Sequence, residues 1–151
     1  MTDENFSRTL SRLAAVQTLY SLDLKDELAN QEQKLEAVIK SVQKHHQDLQ
    51  EKAEHPESLN IKFLKRLVVL ALQNLEKIDS IITSNLKDDK PGAKINTLLK
   101  ATLRTGICEA LYFTTPPKVT IDEYVKIAKK FFDEEEIGFV NALLDKVRKE
   151  D

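Results

Sequence analysis

The chain has little of what makes catalytic or secreted proteins easy to read. Its 151 residues include one cysteine, Cys108, no tryptophan, 3 glycines and 4 prolines. A single cysteine excludes an internal disulfide framework and fits a reducing cytoplasm. So few glycines and prolines leave few breakers, which favours long helices. The longest aliphatic run, residues 67–72, is too short to span a bilayer. Asp3 and Glu4 stand where a secretory signal would place basic residues, and no apolar segment follows them. A cytoplasmic protein with no membrane segment is expected.

Chemistry is equally sparse. His45 and His46 are adjacent and point about 100° apart on a helix, so they do not share an ion, and His55 brings no partner at ligand spacing. Cys108 sits beside Ile107 and Ala110 with no histidine near it in sequence, and reads as a buried structural thiol. No glycine-rich phosphate loop is present, and no carboxylate pair stands apart from the many solvated acids. Neither a catalytic constellation, a metal, a cofactor nor a small-molecule substrate is implied.

What remains is amphipathic periodicity. Hydrophobic content of 41% with 32% charged residues and a net charge of −2 is that of an ordinary globular chain, long enough to bury a core. Leu10, Leu13, Ala14, Gln17 and Tyr20 share one face of a helix over 6–24. Leu35, Val38, Ile39, Val42, His46 and Leu49 mark a second helix with a charged outer face. From near Asn60 one long helix carries Leu64, Leu67, Val68, Ala71, Leu75, Ile78 and Ile82, and Val69, Leu70 and Leu72 widen its stripe. A loop at 87–92 follows. Leu98, Leu99, Thr102, Leu103, Gly106, Ala110 and Leu111 define the next helix. Pro116 and Pro117 stop it, and Thr120 with Glu123 has the spacing of a capping box for a helix over 121–132. A last helix covers 137–149. No segment alternates as a strand. The expected fold is all-α, one domain over 1–151 built from two packed helical subbundles, since neither half could stand alone with its aliphatic face exposed.

A negative total charge is awkward for a nucleic-acid binder, but base gathers locally at Lys87, Lys90, Lys94, Lys100 and Arg104, and again at Lys118, Lys126, Lys129 and Lys130. Most of these lysines read as solvated helix surface.

Three ordered stretches carry a family resemblance. Arg12 with Ala15-Val16-Gln17-Thr18-Leu19-Tyr20 is the first, and Leu103-Arg104 with Glu109 the second. The third runs from Pro116-Pro117-Lys118-Val119 through Asp122-Glu123 to Phe139-Val140-Asn141 and Leu144-Asp145. Together they resemble the NusB transcription antitermination family. The resemblance implies a non-enzymatic RNA-binding factor. It would recognise boxA-like single-stranded RNA beside a NusE-like ribosomal protein, within the antitermination complex. It also implies RNA-binding positions at Arg8, Arg12, Tyr20, Arg104, Glu135 and Phe139. Guanidinium groups pair with phosphates and stack on bases, and exposed rings offer stacking platforms. Arg8 and Arg12 are expected on the charged face of an end helix, so that losing both leaves stability nearly unchanged.

Where the family often has consecutive arginines, this chain has Arg8-Thr9-Leu10-Ser11-Arg12, and Phe132 and Ala142 replace usual glycines. Two other classes stay open. One is a helical protein-interaction module without RNA binding. The other is a stand-alone relative of the N-terminal domain of ribosomal RNA cytosine methyltransferases; such an enzyme needs a sheet domain, a glycine-rich cofactor loop and a catalytic cysteine, none of which these residues offer.

Overall fold

A computed structural model describes residues 3–28, 35–51, 58–86 and 95–150. Among them are seven helices and no strand: α1 (Asp3–Leu24), α2 (Leu35–Glu51), α3 (Ile61–Gln73), α4 (Leu75–Ser84), α5 (Thr97–Tyr112), α6 (Pro117–Phe131) and α7 (Glu134–Glu150). The all-α expectation holds. The 87–92 loop, His55, and Lys87, Lys90 and Lys94 lie outside the described residues. No described helix is long and apolar enough to cross a membrane.

The organising element is α5. It is buried nearly all round, from Leu99 through Glu109, and it packs against α1, α3 and α4 on one side and α6 and α7 on the other. The two expected helical groups thus share one central helix rather than meeting face to face. Asn96 starts it, its side chain accepting from Leu98 N–H at 2.8 Å and Leu99 N–H at 3.3 Å. Gly106 lets α6 and α7 approach: a Cβ there would lie 3.2 Å from Leu144 and from the Tyr124 ring.

α1 buries Ala14, Ala15, Val16, Leu19 and Leu22 against α5 and α3. It ends where Asp26 takes a φ of 55°, a left-handed turn that closes with Glu27 N–H on Leu22 O at 2.8 Å. α2 packs on α1 through Ile39.

Two expectations are corrected. The long third helix is two, broken at Asn74, whose backbone N–H and side-chain Nδ2 both donate to Leu70 O, at 3.1 and 2.9 Å. An Asn that bonds its own preceding turn competes with the helical ladder. The apolar stripe nevertheless continues across the break, because Leu64, Leu67, Val68, Ala71, Ile78 and Ile82 are all buried. The capping box at Thr120 and Glu123 does not form. α6 begins earlier, with Pro116 as its N-cap and Pro117 in the first turn, where a missing N–H costs nothing. Thr120 is left inside the helix, 1% exposed, with a hydroxyl that has no hydrogen-bond partner. A carboxylate closing a helix start is found one helix later: Asp133 N–H donates to Glu136 Oε2 at 3.1 Å, just before α7. The three glutamates of that first turn favour the positive end of the helix dipole.

Candidate nucleic-acid interface

Arg12 is 4% exposed, so it is an interior residue rather than part of a charged outer face. Its Nε and Nη2 donate to the two oxygens of Glu109 at 2.8 Å each, and its Nη1 lies 3.3 Å from Glu123. Glu109 is fully buried and also accepts from Tyr124 OH at 2.8 Å and Thr115 Oγ1 at 2.7 Å. Glu123 accepts from Thr9 Oγ1 at 2.9 Å, in place of the capping bond expected of it. One buried network therefore ties α1, α5, α6 and the α5–α6 connection together. Burial works against the Arg12 charge, but the hydrogen bond to Glu109 and the fields of Glu109 and Glu123 leave its pKa above the ordinary value. Tyr124 is held protonated, first by burial and then by the Glu109 charge.

Arg104 repeats the pattern elsewhere. It is 5% exposed and bonds Asp79 through Nε at 2.7 Å and Nη2 at 3.0 Å, with Nη1 on Asp23 at 3.0 Å. It clamps α5 to α4 and α1. Both arginines, proposed from sequence as RNA contacts, are spent on carboxylates. Each guanidinium therefore holds helices together, a framework role that the sequence reading did not foresee. The same correction covers stability, since Arg12 is part of the framework.

Arg8 differs. It is exposed, with its guanidinium 5.5 Å from the centre of the Phe63 ring, and Arg12 lies 5.2 Å from the same ring. Phe63 meets Phe113 edge to face at 5.5 Å, and Arg66 sits 4.4 Å over Phe113. These side chains line an open groove of about 450 Å³ between the start of α1, the start of α3 and the α5–α6 connection. Thr9, Arg12 and Glu123 also line it, as do Thr114 to Pro116 and Val119. Asn60 accepts from Phe63 N–H at 3.1 Å and so fixes the first turn of α3, while Ser11 Oγ accepts from Asn60 N–H at 2.8 Å and ties that turn to α1.

Of the other positions named from sequence, Tyr20 and Phe139 are half-buried and pack on the core, and Glu135 is exposed in the first turn of α7. Only Arg8 and Arg12 of the six line the groove. Sequence reading missed Phe63, Arg66 and Phe113. The i, i+3 spacing of Phe63 and Arg66 places them on one helix face. Nothing local connects either to Phe113. Cys108 is fully buried, and burial pushes its thiol up to about 12, so it stays protonated and is no nucleophile.

Fold and groove define an all-helical module with a basic and aromatic face and polar networks that serve packing. Residues 9–149 match the NusB family. The transcription antitermination protein NusB of Rickettsia rickettsii is 39% identical over 148 residues, covering 95% of this chain and 92% of that protein. NusB of Rickettsia bellii is 38% identical over 146 residues, with 95% and 90% covered. Among solved structures, antitermination factors NusB and NusE in complex with double-stranded RNA match with a TM-score of 0.73 at 25% identity, covering 96% of this chain and 98% of that one. T. maritima NusB matches with a TM-score of 0.71 at 26% identity, covering 95% and 91%. The chain belongs to the NusB family.

Proposed function

We propose that this protein is a non-catalytic RNA-binding adaptor of transcription antitermination. It recognises boxA-like single-stranded RNA together with a NusE-like ribosomal protein, by presenting a preformed helical surface to bases and phosphates. The observation that carries this reading is the likeness, over nearly the whole chain, to a NusB solved with NusE and double-stranded RNA, which supports RNA binding beside that partner. Arg8, Tyr20, Glu135 and Phe139 keep part of their surface accessible and remain the proposed contacts. Arg12 and Arg104, which bind buried or half-buried carboxylates, support the scaffold that presents them. With a net charge of −2 and few accessible arginines, binding by the isolated protein is weak, because single-strand affinity needs several cationic and stacking contacts. A basic partner adds its own phosphate contacts, and the two surfaces act as one. Anisotropy titrations of a labelled boxA RNA test this: the partner should tighten binding tenfold or more, about 1.4 kcal/mol of coupling. Equal affinity with and without the partner would overturn the adaptor mechanism.

A further inference from the structure

Thr18, Thr102 and Thr105 are buried inside helices, and each donates its hydroxyl to the carbonyl oxygen four residues back, at 2.8, 2.9 and 2.8 Å. Thr120 is equally buried but departs from this pattern. The Pro116 carbonyl accepts its N–H at 3.1 Å but not its hydroxyl, which has no partner. A valine would fill the same space without an unmet polar group, so the hydroxyl is explained by a partner from outside the chain. Thr120 lines a cavity of about 230 Å³ where the end of α5, the start of α6 and the later turns of α7 meet. Ala110, Pro117, Ile121 and Leu144 give it apolar walls, and Arg148 lines it from α7. Arg148 meets Asp145 at one nitrogen, at 3.5 Å, with both side chains exposed. That is longer than a charge-assisted hydrogen bond, and such surface pairs are weak. The first turn of α6 adds donors: it has no side-chain cap and no acidic residue, whereas Asn60 and Asn96 cap α3 and α5, and glutamates open α7.

Surface charge around the cavity is mixed, since Lys118 and Asp122 are both exposed beside Pro117 and Ile121 in sequence. Behind it, Thr115 gives its hydroxyl proton to Glu109, whose charge Arg12 matches. The net charge therefore selects no ligand, and the donors do. A hydroxyl, a guanidinium fork and a helix start all require an acceptor, and the apolar walls suit an aliphatic stem. Cofactor and nucleotide sites are larger, about 300–1,000 Å³. We propose that this cavity binds a small aliphatic carboxylate, its oxygens held by the Thr120 hydroxyl and the Arg148 guanidinium, its stem against Ile121 and Leu144. Arg8, Tyr20, Glu135 and Phe139, the proposed RNA contacts, do not line it, so the proposal stands apart from the RNA-binding reading.

The test titrates the full chain with butyrate, butyramide and inorganic phosphate, following backbone amide shifts by NMR together with the thermal midpoint. Butyrate should bind saturably, with shifts centred on residues 118–121 and 144–148, in the millimolar range expected of so small a ligand. Butyramide lacks the charge and phosphate lacks the stem, so each should bind more weakly, on the order of fivefold. Thr120→Val should raise the thermal midpoint of the free protein yet weaken butyrate by a similar factor, a pairing that a purely structural threonine does not produce. Thr120→Ser should keep the affinity, and Arg148→Gln should reduce butyrate to the level of butyramide. Butyrate that fails to saturate, or that binds Thr120→Val or Arg148→Gln as tightly as the parent, overturns the proposal and leaves an ordered water as the partner of the hydroxyl. Equal binding of butyramide overturns the role of charge, and equal binding of phosphate overturns the choice of a carboxylate over anions in general.

Discussion

Four arginines of this chain fall into two pairs with opposite duties. Arg12 and Arg104 are buried, and each spreads its donors over two carboxylates from other helices. Arg8 and Arg66 are exposed and rest on Phe63 and Phe113. Arg8 and Arg12 are one helical turn apart on α1 and both line the groove, yet Arg8 is exposed while Arg12 is locked onto a buried glutamate. The difference is what lies opposite. A guanidinium facing a fully enclosed carboxylate must be paired, because an unmatched interior charge is costly. One resting on a ring at the surface stays in contact with water and has no enclosed charge to match.

The comparison is broken most directly by removing the cations one at a time. Arg12→Ala leaves Glu109 enclosed without its counter-ion and should cost about 3–5 kcal/mol of unfolding free energy. Arg104→Ala should cost less, about 1–3 kcal/mol, because Asp23 and Asp79 are 23% and 37% exposed and can regain water. Arg8→Ala should stay within about 0.5 kcal/mol of the parent. Denaturant midpoints on all three variants decide it, and equal losses would mean that burial does not separate the pairs.

The same interior responds to alkali. Cys108 titrates near 9.0 in the ordinary case but at about 12 in the fold, and Tyr124 is likewise raised above its ordinary 10.0, both mainly by burial. Below pH 9 folded and unfolded chains both keep these protons, so the contribution is complete. As pH rises the unfolded thiol and phenol ionise first, and stability falls progressively toward pH 12. Cys108→Ala should flatten the first part of this decline. A pH profile of stability that is identical in the variant would show that the thiol is better solvated than its position implies.

The smallest effect sharpens the comparison from the other side, with a buried polar group that lacks a partner. Thr120→Val replaces an unsatisfied hydroxyl by a methyl group of similar shape and should stabilise the protein by about 1 kcal/mol. A cap residue would lose about that much instead. Thermal unfolding distinguishes the two signs.

Most helices were legible from local pattern, because an apolar face at helical spacing has to be buried wherever it ends up. The break at Asn74 was not, since the apolar period runs through it unchanged while one side chain redirects the backbone hydrogen bonds of a single turn. The start of α6 was misread for a related reason: Thr120 and Glu123 have the spacing of a box, but Pro117 suits the first turn and claims it first. Glu123 was then free to serve α1.

By itself, the sequence determined the helical class, which rests on local spacing and residue type, and it carried the motifs whose resemblance places the chain in the NusB family. It also contained the residues of the groove, without any sign that they belong together. Arg12 and Glu109 are 97 residues apart, and Arg104 and Asp23 are 81 apart. Which arginine is locked in the interior and which stays at the surface depends on the groups that packing brings opposite each one, and only the tertiary structure decides that.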